Sequence, residues 1–570
     1  MGRRATEALR RVGGPLLLLA LLASATLAQG RAEPAQAAGG AALVGRVVDF
    51  QGQPVRGATA SLYLDGGDTP YLERKTQDDG TFVLDLPEGP VDHVRLVVHH
   101  PHFYPATWEA QGSDLERLNG GSAIRLPDLT LQRRLTAGFW IATMVFIGVL
   151  AFIATERLHS TMAALLGAAV VLGVSLVGRP ISEHLFILDF EQAIEYVDFN
   201  VIFLVMGMMI IVGVIEETGV FQWTAYQAYR LSGGRIWLMI VYLMVLTSVA
   251  SALLDNVTTM LLVAPITLQI ALTLGIDPLA LLMPEVLVSN VGGISTLIGT
   301  PTNILIGSYA DLTFNDFLRH LTPGVVLAQA ALTVYVLLLY RKQYRSVSVA
   351  SSPALLARLE ENARITQPDK LRKAGGVFLA VILLFVLGEQ VHLIPAVTAI
   401  LGAVAVLLVV RADIDEMLRV VDWTTLMFFI ALFIVIGAIQ EVGLISYVAA
   451  GIRALVGENL AAATMVIVWT GAILSGVIAN IPFTAAMLPV VGFLTRTVPG
   501  AGNKVLFYGL SIGSAMGGNS SLIGASANIV TAGIAERAGY PISYRYFLKV
   551  GLPATLITVA MGTAWLFLHF

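Results

Sequence analysis

Two stretches of this chain, 225 residues apart, carry the same set of polar groups inside apolar surroundings. Residues 289–304 read SNVGGISTLIGTPTNI and residues 514–529 read SAMGGNSSLIGASANI. Nine of the sixteen positions match: Ser289/Ser514, Gly292/Gly517, Gly293/Gly518, Ser295/Ser520, Leu297/Leu522, Ile298/Ile523, Gly299/Gly524, Asn303/Asn528 and Ile304/Ile529. Paired glycines, hydroxyls and an amide suit an unbroken lipid-facing helix poorly. They suit a helix that breaks and turns its freed carbonyls and side-chain oxygens toward a ligand.

Upstream of each copy lies a second polar break, LDNVTT at 254–259 and IANIPFT at 478–484. In both, a proline follows nine residues after the asparagine, at Pro265 and Pro489. Together the four breaks supply a candidate binding set. The first half contributes Asp255, Asn256, Thr258, Thr259, Asn290, Gly292, Gly293, Ser295, Thr296, Thr300 and Asn303. The second contributes Asn480, Thr484, Gly517, Gly518, Ser520, Ser521, Ser526 and Asn528. Carbonyl, hydroxyl and carboxylate oxygens are hard ligands, so Asp255, Asn256 and Asn303 are the groups a sodium ion would take. Half-helix N-termini and hydroxyls suit a carboxylate or another anion. The competing reading is close helix packing, which small-residue motifs also permit; two copies, each with its own asparagine break, favour a site.

Asp255 is the most pointed of these residues, because an ionisable group deep in a membrane segment is costly. It could ligate sodium, carry a proton, or cap a half-helix as aspartate does well. Glu285, near the start of another apolar segment, is placed to face a water-filled cavity. Where the first half has Asp255, Asn290 and Thr300, the second has Ala479, Ala515 and Ala525. The first half therefore reads as the better ion site, and the second as a weaker or substrate-facing one. The spans hold no nucleophile–base pair and no metal-ligand cluster, which argues against an enzyme; beyond a sodium ion no cofactor is implied.

The elements that position these groups are membrane segments. Of the 570 residues, 56% are hydrophobic and 13% charged, against about 25% charged in soluble domains. A net charge of −4 points to no nucleic acid, and with no cysteine there is no disulfide or thiolate site. Residues 1–28 read as a signal peptide, with Arg3, Arg4, Arg10 and Arg11 before the apolar run Leu16–Leu22 and a small-residue cleavage site at Thr26-Leu27-Ala28. Residues 29–40 form a linker.

Residues 41–132 alternate short apolar runs with turn signals, Gln51-Gly52-Gln53-Pro54, Asp65-Gly66-Gly67-Asp68 and Asp78-Asp79-Gly80, and predict a small all-β sandwich. His99, His100 and His102 have no acidic or cysteine partner at ligand spacing and read as a histidine-rich strand end rather than a metal site. Apolar segments then run through 137–341 and, after a charged linker at 342–373, through 374–570. The fourth segment of each half is too long for one crossing and holds the polar break, so it reads as a re-entrant hairpin. Each half is then five spans plus one hairpin. Five is odd, so this all-α polytopic unit reads as an inverted repeat. Asp198, Gly213, Glu217 and Gly219 answer to Asp422, Gly437, Glu441 and Gly443. Glu217, Glu441, Asp198 and Asp422 are expected near the membrane interface. With the sandwich exported, the linker with Arg341, Lys342, Arg345, Arg358, Arg364, Lys370, Arg372 and Lys373 falls inside, as the positive-inside rule expects.

Two resemblances sharpen these expectations. Gly45-Arg46-Val47-Val48-Asp49, Gly52-Gln53-Pro54-Val55-Arg56-Gly57-Ala58 and Asp78-Asp79-Gly80-Thr81-Phe82 resemble the carboxypeptidase regulatory-like domain, which implies a non-catalytic module. About residues 137–570 resemble the ion transporter superfamily. That group takes in divalent anion/sodium symporters, the citrate transporter-like family, arsenite permeases and bacterial sodium/proton antiporters. The melanosomal P protein type is the nearest in pattern. It is carried by Asp255-Asn256-Val257-Thr258-Thr259-Met260-Leu261-Leu262, by Glu285-Val286 with Ser289-Asn290-Val291-Gly292-Gly293, and by Gly518-Asn519 with Leu522-Ile523-Gly524-Ala525-Ser526-Ala527-Asn528. The tips depart from the symporters' Ser-Asn-Thr, reading Asp255-Asn256-Val257 and Ala479-Asn480-Ile481. The resemblance implies a homodimeric carrier in lipid, with a scaffold and a transport body moving in an elevator-like manner.

The expected function is a secondary active transporter of a bacterial-type inner (plasma) membrane, moving a small anion coupled to sodium or protons. The sandwich would be extracytoplasmic and the central linker cytoplasmic. A sodium/proton antiporter without organic substrate is the alternative, and a membrane sensor or scaffold built on the sandwich is a third.

Overall fold

The computed structural model describes residues 41–346, 361 and 364–570, apart from 51, 88, 156 and 234. The expected signal peptide, the linker at 29–40 and the middle of the linker at 342–373 lie outside these residues. The chain divides into two compact units between Leu135 and Thr136.

The first unit is a two-sheet β structure. Its strands are β1 (Ala42–Asp49), β2 (Thr59–Leu64), β3 (Leu72–Lys75), β4 (Thr81–Asp85), β5 (Val94–His99), β6 (Ala106–Glu109), β7 (Ile124–Arg125) and β8 (Leu129–Leu131), with one helix, α1 (Gly112–Asn119). One sheet runs β4-β1-β7, with β8 also on β1; the other runs β3-β2-β5-β6. Strict alternation sends Val94, Leu96 and Val98 of β5 inward against Leu43, Val47, Leu62, Leu84 and Leu131 from both sheets. The turn into β4 uses Gly80 at φ +76°, where a Cβ would lie 2.4 Å from the Val47 carbonyl oxygen. Asp79 holds the same turn by accepting from the Thr81 amide and hydroxyl, which lowers its carboxyl below the usual range. His100 and His102 are buried beside Phe103, and burial holds the His100 imidazole well below its ordinary value. No group of three or more His, Cys, Asp or Glu among the described residues could hold a metal.

The second unit is helical. Its first half runs α2 (Ala137–Ala154), α3 (Ser160–Gly178), α4 (Phe190–Glu195), α5 (Phe199–Glu216), α6 (Val220–Leu231), α7 (Ile236–Leu253), α8 (Asn256–Leu274), α9 (Leu279–Gly292), α10 (Pro301–Ala310), α11 (Phe314–His320), α12 (Thr322–Leu339) and α13 (Arg341–Ser346). The second runs α14 (Pro368–Leu387), α15 (Pro395–Val410), α16 (Ile414–Val420), α17 (Trp423–Glu441), α18 (Leu444–Val456), α19 (Leu460–Ser475), α20 (Asn480–Thr497), α21 (Val505–Gly517), α22 (Ser526–Arg537) and α23 (Tyr544–His569). Among the described residues nine helices are long and apolar enough to cross a membrane. Large apolar side chains such as Trp140, Met144 and Ile147 of α2 point outward, as a helix in lipid requires.

The repeated acids and glycines have repeated local jobs. Asp198 caps α5 by accepting from the Asn200 amide at 3.0 Å, and Asp422 caps α17 by accepting from the Thr425 amide at 3.1 Å. Gly219 (φ +77°) and Gly443 (φ +91°) take the left-handed turn into α6 and α18. Those two short helices fall between the apolar segments and are not foreseen by a span count. They are amphipathic, so only part of their surface reads as apolar.

The halves interlock by exchanging partners. α3 packs on α17 and α15 on α5; α10 packs on α20 and α22 on α8; α12 packs on α23. Each pairing is the repeat counterpart of another or of itself.

Candidate functional site

The first hairpin turns on two residues, Leu254 and Asp255, and the second on four, residues 476–479. α7 ends at Leu253, Leu254 is extended, and Asp255 starts α8 by accepting from the Val257 and Thr258 amides, both at 2.9 Å, and from the Thr258 hydroxyl. The second tip has Ala479 at this place and no side-chain cap. Instead the Asn480 amide donates to the Gly524 carbonyl at 3.2 Å, and the Thr484 hydroxyl donates to the Asn480 carbonyl at 2.7 Å.

Both broken helices have the same backbone. α9 ends in a 3-10 turn, Gly293–Ser295, then an extended Thr296 (φ −134°, ψ 164°), and α10 starts after Thr300 (φ −155°, ψ 142°). α21 ends in Gly518–Ser520, then Ser521 (φ −141°, ψ 163°), and α22 starts after Ala525 (φ −146°, ψ 143°). The freed carbonyls are gathered by one asparagine in each. Asn303 donates to the carbonyls of Ile294 (3.0 Å) and Thr296 (2.8 Å), and Asn528 to those of Gly518 (2.8 Å) and Ser521 (2.9 Å). The side-chain oxygen of Asn303 accepts from the Ser511 hydroxyl at 2.6 Å. The three residues offered for sodium are therefore not a ready-made cluster. Asp255 faces its own helix start, and Asn303 braces the break.

Hydroxyls fasten each broken helix to the first arm of its hairpin. Ser251 donates to the Ser289 carbonyl (2.7 Å), and its counterpart Ser475 to the Ser514 carbonyl. Thr296 donates to the Ala252 carbonyl, and its counterpart Ser521 to the Gly476 carbonyl. The arms are in backbone contact here. A Cβ on Gly292 would lie 2.5–2.6 Å from Ser248, and one on Gly517 2.5–2.9 Å from Ala472. These glycines thus serve close packing, as the competing reading had it. Gly293 and Gly518 serve the break itself, since a Cβ there would meet the carbonyl of Gly299 (2.5 Å) or Gly524 (3.0 Å).

An amide chain then crosses from half to half. Asn256 at the first tip donates to Asn290 Oδ1 at 2.7 Å. Asn290 donates to Asn519 Oδ1 (2.8 Å) and Asn528 Oδ1 (2.9 Å), and Asn519 donates to the Leu287 carbonyl (2.9 Å). All four asparagines are buried. Of the remaining expected residues, Thr258 serves Asp255 and Thr300 lies 3.2 Å from the Thr302 hydroxyl. The Ser295 carbonyl accepts from Thr322, the Thr259 hydroxyl is buried without a hydrogen-bond partner among the described residues, and Ser520 packs on Gly476. Sequence reasoning missed Asn519, Ser511, Ser251 and Ser475 as parts of this assembly. Ser251 and Ser475 are marked in the sequence by their shared place five residues before Asn256 and Asn480; Asn519 stands where the first copy has Ile294, so matching the copies hides it.

Among these site residues Asp255 alone carries a formal charge. The rest are amides, hydroxyls and backbone groups; some stand in the first turns of α8, α10, α20 and α22, where helix dipoles favour negative charge, and others, Asn290 and Gly517 among them, at the ends of α9 and α21. A multi-pass helical unit of this kind, with hairpins and broken helices meeting across two halves, is that of a membrane transporter and not of an enzyme. The model of the citrate transporter family (CitMHS) matches residues 150–502, and the chain belongs to that family. An uncharacterized transporter of Mycobacterium tuberculosis is 39% identical over 432 residues, covering 75% of this chain and 98% of that protein. An uncharacterized transporter of Synechocystis is 34% identical, covering 74% and 96%. The human P protein is 36% identical over 504 residues, and this chain spans 59% of its length. A solved structure, the YdaH transporter of Alcanivorax borkumensis, superposes with a TM-score of 0.47 at 13% identity over 75% of this chain and 96% of that one.

Proposed function

We propose that this chain is a secondary active carrier that moves a small anion together with sodium or protons. The observation that carries this reading is the amide chain from the first hairpin tip through Asn290 into the second broken helix. It ties groups of both halves into one polar centre where the first hairpin tip and the two broken helices meet. With a carboxyl at Asp255 and no basic side chain among the site residues, an anion there needs the helix N-termini and a bound cation to balance it. That favours co-transport. We further read the two halves as inserted in opposite senses in a plasma membrane, with the sandwich outside, the linker inside and a homodimer as the working form. The interlocked pairing of α3 with α17 and α15 with α5 supports two halves related by a pseudo-two-fold, and the odd number of spans read in each half is what makes that relation inverted. The second reading, sodium/proton antiport without an organic solute, is favoured by the Asp255 carboxylate at the tip.

Purified protein in liposomes separates the two. Labelled citrate, the solute in the family's name, and labelled sodium are each followed under imposed sodium and proton gradients. Citrate uptake that follows a cation gradient supports the first reading. Sodium movement against a pH gradient without citrate supports the second. Movement of neither under any gradient removes both.

A further inference from the structure

Glu285 is a carboxyl group that the site described above does not use. It lies in α9 and is 1% exposed; its Oε1 accepts from the hydroxyl of Thr267 in α8, itself 0% exposed, at 2.7 Å. Its Oε2 is buried with no hydrogen-bond partner among the described residues. The charged residues on helices packed against α8 and α9 are Arg230 on α6, Glu536 and Arg537 on α22, and Arg545, Lys549 and His569 on α23, with Asp255 heading α8. None of them is hydrogen-bonded or ion-paired to Glu285 among the described residues. The nearby tyrosines are engaged elsewhere: Tyr335 donates to the Val550 carbonyl and Tyr344 to the Ala280 carbonyl.

The molecule contains its own control for this seam. By the repeat, Thr267 corresponds to Val491 and Glu285 to Leu510, both 0% exposed. The second half has two buried aliphatic side chains at the matching positions. Packing and stability therefore do not require a carboxyl and a hydroxyl here, and buried polar pairs commonly gain nothing over apolar ones of similar size. An ionised carboxylate with a bare oxygen in such surroundings is far costlier than a neutral acid. An ionisable group retained in this setting signals function.

We propose that Glu285 with Thr267 forms a proton-binding site, separate from Asp255, and that its proton is a coupling ion of transport. The proposal rests on the reading of the chain as a coupled carrier. While α8 and α9 are closed on each other, the proton sits on the carboxyl of Glu285. When the hairpin arm α8 shifts from α9, water enters the seam, the proton leaves the carboxyl for water, and the carboxylate is solvated. α9 also carries Asn290, five residues on and about 7.5 Å along the axis. The Thr267–Glu285 and Asn256–Asn290 bonds span the same two helices, so opening one strains the other.

The test uses the full-length protein in liposomes. Infrared titration of the wild type is expected to show the carbonyl band of a protonated carboxyl at neutral pH. That band is expected to be absent in E285Q and in the double variant T267V/E285L, which copies the second half and so is expected to fold, as checked by circular dichroism. In the uptake assay with labelled citrate, E285Q is expected to lose the pH dependence of the wild type. A band that persists in both variants, or a pH profile unchanged in E285Q, overturns the proposal. If wild-type protein moves no citrate, the functional reading fails on its solute, and the infrared arm still decides whether Glu285 holds a proton.

Discussion

At the scale of the residue, Asp255 has two jobs that a substitution can part. Its oxygens hold the Val257 and Thr258 amides at the start of α8. Asparagine caps a helix about as well as aspartate, whereas alanine costs about 1 kcal/mol. D255N is therefore expected to leave thermal stability nearly unchanged and D255A to lower it. If Asp255 also binds the coupling cation, D255N abolishes the sodium dependence of uptake while the protein stays folded. Sodium dependence that survives in D255N reduces Asp255 to its cap. The asparagines divide the same way. Asn303 and Asn528 were legible as site residues because they repeat, yet their amides are spent on the carbonyls of their own breaks. Asn519 and Ser511 were not legible, because the groups they touch, Leu287 and Asn303, are more than two hundred residues away.

At the scale of the element, the repeat was legible because the same residue types impose the same backbone. Thr296 and Ser521 share their dihedral angles to within about 10°, as do the cap residues Asp198 and Asp422 in their function. The role of the glycine pairs was legible only in part. Two adjacent glycines in a row look alike in sequence, but Gly292 and Gly517 admit a neighbouring helix while Gly293 and Gly518 close the break. G292A and G517A should force α7 from α9 and α19 from α21, each at a cost of about 1–3 kcal/mol. A falling unfolding temperature in detergent would register this; an unchanged one would show that the helices can move apart freely. The short helices α6 and α18 are not marked by a span count because an amphipathic helix of 12 or 13 residues is too short to read as a crossing.

At the scale of the whole molecule, the two units have separate cores, so each can be altered alone. Deleting residues 41–132 is expected to leave liposome uptake intact, with any loss confined to expression or insertion; loss of uptake from well-folded deleted protein would make the β unit part of transport. Composition, apolar run lengths and the duplicated motif by themselves determined a polytopic helical unit, a β module before it, and the four polar breaks. These follow from local chemistry: lipid demands apolar helices, and a helix rich in glycine, hydroxyl and amide groups breaks. What only the tertiary structure decided is which groups meet. Folding α9 back along α8 sets Glu285 on Thr267 where the second half has Leu510 and Val491, and the exchange of partners between halves brings Asn290 to Asn519 and Asn528. Such pairings arise because each half leaves polar and apolar faces that its own chain cannot cover, and only the other half, folded against it, supplies the partner.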